Sequence, residues 1–176
     1  MVWTPFNEAW GQFKTDEIVD FTRQLDPTRL INPASGGNHY HSGDMLDLHD
    51  YSRPPRIFLY DNSRPVVLGE YGGLGRHVPG HRWFEQDATT YVNYQDAKEL
   101  TDSYVQQAEA VLQMAKGVTL DNGQTAAFSA AVYTQTTDVE TEVNGLMTYD
   151  RKVMKMDEGR IREINKKISN VFNDRK

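Results

Sequence analysis

Cysteine is absent from the chain, which excludes a disulfide scaffold and every thiolate metal site. Long apolar runs are absent too: no stretch reaches 18 residues, so no transmembrane helix is expected. Basic charge is scarce, with a formal net charge of −6 and a pI near 5.3. That is the wrong sign for a phosphate backbone or an anionic bilayer, so neither nucleic acid nor membrane is an expected partner. The first residues, Met1–Phe6, lack the basic and apolar regions of a signal peptide. An apolar run opening at residue 2 reads instead as a core strand without a lead-in, as in a chain that starts inside a larger unit. A cysteine-free chain suits cytoplasm and periplasm or exterior alike, so the compartment stays open.

The composition that remains is that of a folded domain. Hydrophobic residues are 38%, aromatics 11% and charged residues 25% of 176 residues, too apolar for a disordered segment. Residues 1–176 read as a single domain. Short apolar runs alternate with helical stretches, which predicts βα units around a parallel sheet. The strand candidates are Val2–Phe6, Leu30–Ala34, Met45–His49, Pro65–Glu70 and a segment within Ala126–Tyr133. Helices are predicted over Asp16–Leu25, with Thr15 as N-cap and Ile18, Val19, Phe21, Thr22 and Leu25 as the apolar face, and over Gln95–Lys116 and Asp157–Phe172. Ile161, Ile164, Ile168 and Val171/Phe172 form the seam of the last helix. Gly117 is placed to end the second. A closed (β/α)₈ barrel takes about 250 residues. Five strands are what this length accommodates.

Two strand ends carry a glutamate: Phe6-Asn7-Glu8 and Leu68-Gly69-Glu70. Parallel α/β architectures build their sites at the carboxyl ends of strands. A carboxylate pair there is what glycoside hydrolysis requires, one group protonating the leaving oxygen and the other attacking the anomeric carbon or activating water. Trp3, Trp10 and Trp83 flank these segments, and sugar rings stack on aromatic faces. Core packing accounts equally well for Trp3.

Trp3-Thr4-Pro5-Phe6-Asn7-Glu8-Ala9-Trp10-Gly11-Gln12 resembles the acid/base signature of glycoside hydrolase family 2, and Val66-Val67-Leu68-Gly69-Glu70-Tyr71-Gly72-Gly73 resembles its nucleophile segment. That family comprises β-galactosidases, β-mannosidases and β-glucuronidases on retaining (β/α)₈ barrels. Asp20–Arg29 with Asn32–Gly36, Asp47–Tyr51 and Tyr133–Glu140 resemble further barrel segments, so the likeness runs from residue 2 to about residue 151. It implies an α/β fold, a partial (β/α)₈ TIM barrel of about strands 4 to 8 with intervening helices. It implies Glu8 as acid/base and Glu70 as nucleophile. Asn7 would bond the sugar 2-hydroxyl, and Trp10 would flank the cleft. His49 and Tyr51 would line the glycone pocket, and Tyr133 and Gln135 its floor. The implied partner is a carbohydrate, β-galactosidase-like, with no cofactor and no metal. The same likeness leaves out barrel strands 1 to 3, so the chain is expected to self-associate or to join a missing N-terminal barrel half. A catalytically inactive half-barrel serving as a carbohydrate-binding or assembly module is the alternative.

Two other clusters have blander readings. His39, His41, Asp44, Asp47, His49 and Asp50 contain metal-ligand types, but their spacing matches no closed zinc pattern. Gly69, Gly72, Gly73 and Gly75 fit neither the dinucleotide nor the Walker pattern, and serve a sharp turn after Glu70.

Overall fold

The computed structural model describes residues 2–85 and 90–173, with side chains to residue 171. Phe172, expected in the seam of the last helix, lies outside the described side chains. Strand β1 (Val2–Trp3) pairs in parallel with β2 (Leu30–Ile31), and a bridge from Asn7 to Ser35 continues the pairing. Helix α1 (Thr15–Leu25) makes the crossover between them. A second, three-stranded parallel sheet has the order β3 (Leu46–His49), β4 (Val66–Gly72), then β9 (Phe128–Thr134). Short pairs complete the set: β5 (Leu74–Gly75) with β6 (Val92–Asn93), and the hairpin of β7 (Val118–Thr119) with β8 (Thr125–Ala126). Neither small pair is expected from the strand pattern. Helices α2 (Ala97–Lys116) and α3 (Glu158–Asn173) pack on each other, and α2 also packs on β9.

The two main sheets share no backbone ladder. Side chains join them: Asn32 Nδ2 donates to Asp47 Oδ2 at 2.6 Å, and the Ile31 amide donates to Asp44 Oδ2 at 2.7 Å. One apolar cluster fills the space around Leu46, Leu48, Val66, Leu68, Tyr71 and Phe128, with Val111 and Met114 of α2 against it. A second joins Leu100, Tyr104, Ala108 and Leu112 of α2 to Ile161 and Ile164 of α3. Strands buried on both faces read as continuous apolar runs, as Val66-Val67-Leu68 does.

The helix ends follow from local chemistry. Asp96 accepts from the Lys98 and Glu99 amides at 2.8 Å each, so α2 starts two residues later than the periodicity predicts. Gly117, at φ +115°, ends it. The N-cap of α1 is Lys14 rather than Thr15, whose hydroxyl accepts from Gln12 Nε2 at 3.1 Å. The expected apolar face of α1 is only partly buried: Val19 is buried, whereas Phe21 is 56% and Leu25 70% exposed. Val2, Trp3 and Leu30 of the β1–β2 pair are exposed as well.

Behind the end of β9 lies a buried ion pair. Lys155 Nζ donates to Asp138 Oδ1 at 2.6 Å and to the Val143 carbonyl at 2.8 Å, and both side chains are withdrawn from solvent. Burial holds the Asp138 carboxyl above its ordinary value and the Lys155 amine below its own. Removing one partner leaves a lone buried charge, which costs roughly 3–5 kcal/mol, whereas removing both with apolar replacements costs far less. Lys155→Met and Asp138→Leu should each lower the urea midpoint sharply, and the double variant should recover most of the loss. Additive losses would overturn this assignment.

Candidate functional site

Glu8 and Glu70 come from different sheets and meet at their carboxyl ends. β4 carries a bulge here: Leu48 pairs with Leu68 but His49 pairs with Glu70, so Gly69 is the extra residue. A Cβ at Gly69 would collide with the Asp47 carboxylate, so the bulge requires glycine at that position. Its effect is to set His49 beside Glu70. Glu8 arrives after β1, with φ 60° and ψ 173°, a region used essentially by glycine alone. Its amide donates to the Ser35 carbonyl at 2.8 Å, which holds it there.

His49 stands between the carboxylates. Its Nδ1 lies 3.4 Å from Glu8 Oε1 and 3.3 Å from Glu70 Oε2. One ligand atom from each of the three residues falls within 4.8 Å of the other two. Tyr51 donates its hydroxyl to Glu70 Oε2 at 2.5 Å. Burial first, and then that hydrogen bond, push the Tyr51 phenol far up, so it stays a donor. Trp10 points Nε1 at Glu8 Oε2 from 3.4 Å and is otherwise open to solvent.

The proton positions follow from counting donors. Ser35 Oγ lies 2.9 Å from Asp47 Oδ2 and 2.8 Å from His49 Nε2. A Ser35 hydroxyl that donates to Asp47 accepts from His49 Nε2–H, which leaves Nδ1 facing the two carboxylates. The same three groups could also hold a cation, at the cost of occupying both carboxylates.

Of the expected site residues, Glu8, Glu70, His49, Tyr51 and Trp10 come together. Asn7 is exposed beside Glu8 and bridges to Ser35 through its backbone. Gln135 lies in the next wall, donating to Glu142 Oε2 at 2.7 Å and Asn144 Oδ1 at 2.8 Å. Tyr133 is not brought to the pocket floor. Its ring packs edge-on against Tyr71 at 5.5 Å and against Tyr104 of α2 at 4.9 Å, on the helix side of the sheet. Burial there raises its phenol well above the ordinary value. Trp3 donates its indole N–H to Asp26 at 3.0 Å, and Arg29 lies 5.9 Å from its ring centroid. The metal-ligand types of the His39–Asp50 loop disperse: Asp44 pairs with Arg23, Asp47 with Asn32 and Ser35, and Asp50 caps Ser52. Ser35, Tyr91, Glu142 and Asn144 are missed by the sequence reading. Ser35 had a signal, since it sits in a segment already matched; the other three lie on connecting segments with no strand or helix pattern.

The chain matches no family model and no curated protein sequence.

Glycine at position 8 should relieve the backbone strain, which is worth about 1–3 kcal/mol. Glu8→Gly is expected to be more stable than Glu8→Ala by about 1 kcal/mol in urea denaturation, against the usual order of the two residues. The reverse order would show that position 8 carries no strain.

Proposed function

We propose that the chain is the catalytic part of a retaining β-glycosidase of the family 2 kind, the C-terminal portion of a (β/α)₈ barrel, acting on O-glycosidic bonds with β-galactoside-like substrates. The observation that carries the reading is the Glu8–Glu70 approach, with ligand atoms within 4.8 Å across His49. Retaining enzymes hold their carboxyl groups about 5–5.5 Å apart, whereas inverting ones need about 6.5–9.5 Å for a water. Glu70 attacks the anomeric carbon, the aglycone oxygen leaves with the proton of Glu8, and a glycosyl ester forms on Glu70. Glu8 then takes a proton from water, which attacks the same carbon and releases Glu70. Tyr51 holds the Glu70 oxygen in place, and Trp10 offers an open face beside Glu8.

A 2-deoxy-2-fluoroglycosyl fluoride should label Glu70 stoichiometrically, read by intact mass and peptide mapping. Glu70→Gln should abolish the label. Glu8→Ala should still accept a substrate with a good leaving group but turn the intermediate over about 10²–10⁴-fold more slowly. A folded chain that takes no label on Glu70 would refute the enzyme reading in favour of a binding or assembly module.

The exposed face of Val2, Trp3, Phe21, Leu25 and Leu30 supports the accompanying partner reading, in which a second copy or an N-terminal barrel half covers it. Light scattering of the chain alone should give a mass that rises with concentration above 20.1 kDa. A constant monomer mass would contradict self-association.

A further inference from the structure

We infer that the wall made by Gln135, Glu142 and Asn144 selects the sugar, and that it favours neutral glycosides, which present hydroxyl donors, over β-uronides. This rests on the glycosidase reading and names the substrate class for that site.

The wall is rigid by construction. After β9 the chain folds back, with Val139 and Glu142 exchanging both backbone hydrogen bonds at 3.1 and 2.9 Å. The Val143 carbonyl accepts from Lys155 Nζ at 2.8 Å and from the Arg76 amide at 3.0 Å. The Gly145 amide donates to Asp138 Oδ1 at 2.8 Å. The segment that bears Glu142 and Asn144 is thus tied to the buried Lys155–Asp138 pair.

Its Gln135–Glu142 side is a surface of acceptors, set beside the amide donors of Asn144 and the phenol of Tyr91. Both amide protons of Gln135 are used, one on Glu142 and one on Asn144. Gln135 is left with its carbonyl, and Glu142 with its second oxygen and spare lone pairs. Such a surface bonds groups that donate. Glu142 and Asn144, with Thr90 and Tyr91, line an open cavity of about 160 Å³. Tyr91 stacks on Tyr51 at 3.9 Å with 13° between planes, and Tyr51 donates to Glu70, so two stacked rings link the cavity to Glu70. Gly73 makes this contact possible, since a Cβ there would strike the Tyr91 ring. Burial raises the Tyr91 phenol, the hydrogen bond with Tyr51 lowers it, and the charges of Glu8, Glu70 and Glu142 raise it. Among the described residues no Lys, Arg or His forms an ion pair with Glu142. A uronide carboxylate in this cavity would meet the negative charge of Glu142; a hexoside would meet an acceptor in Glu142 and donors in Asn144 and Tyr91 for its hydroxyls.

The test compares labelling rates of the full chain with 2-deoxy-2-fluoro-galactosyl or -glucosyl fluoride and with the corresponding glucuronyl fluoride, by intact mass. The neutral reagents should label Glu70 at least about ten-fold faster, the low end of what a pocket discriminates between close analogues. Glu142→Gln should narrow the ratio and Glu142→Lys should reverse it, with native circular dichroism in both. Equal or faster labelling by the glucuronyl reagent, or a ratio that neither variant moves, would overturn the inference while leaving the glycosidase reading intact. No label from any reagent on a folded chain would overturn that reading itself, and this inference with it.

Discussion

The buried carboxylate of Asp47 joins two sheets that no backbone ladder connects. Through one oxygen it takes the Asn32 amide from beyond β2 and the Ser35 hydroxyl from the loop that follows. It sits on β3, whose neighbour β4 carries Glu70. The relative placement of Glu8, which hangs on Ser35, and Glu70, which hangs on β4, therefore passes through this group. A hydrogen bond to a charged acceptor is worth about 1.5–3 kcal/mol net, and leaving such an acceptor buried without its donors costs more. Asp47 also explains the bulge: its carboxylate occupies the space a side chain at position 69 would need.

From Asp47 the constraint runs on through a chain of side chains. Ser35 lies between Asp47 and His49 Nε2, and His49 turns its other nitrogen to both glutamates. Tyr51 adds a fixed donor on Glu70 and breaks the symmetry of the pair, leaving Glu8 the more open to solvent.

Much of this can be read in the sequence where strand ends and short motifs carry it. Glu8, Glu70, His49 and Tyr51 all follow strand candidates, and the structure gathers them; α2 and α3 begin and end close to where periodicity and Gly117 put them. The alternation rule fails where register slips. The ladder between β4 and β9 shifts between Val66 and Val67, where β9 carries an extra residue, so the face to which Tyr133 points does not follow from counting along its strand, and it turns to the helices. Glu142 and Asn144 are unreadable for another reason. Their position depends on Lys155, more than ten residues downstream, whose burial no local pattern announces. The apolar face of α1 reads as core because apolar residues at helical spacing usually are; within these residues only Val19 finds a buried place.

That exposed face bears on the site. Glu70 sits on a seven-residue strand paired on both sides, within the larger apolar cluster. Glu8 depends on a two-residue strand, one bridge and the Ser35 contacts, and Trp3, Phe21 and Leu30 on β1, α1 and β2 are open to water. Local opening takes least free energy where few buried apolar contacts are lost. Fluctuations therefore fall on the Glu8 side, and Glu8 is also the residue held in strained backbone. Covering that face would bury apolar surface at about 25 cal/mol per Å² and would stiffen the half of the site that most needs it. On this argument Glu70 is held by the fold of the chain, and Glu8 is the group that a partner packed on α1 and β1 would steady.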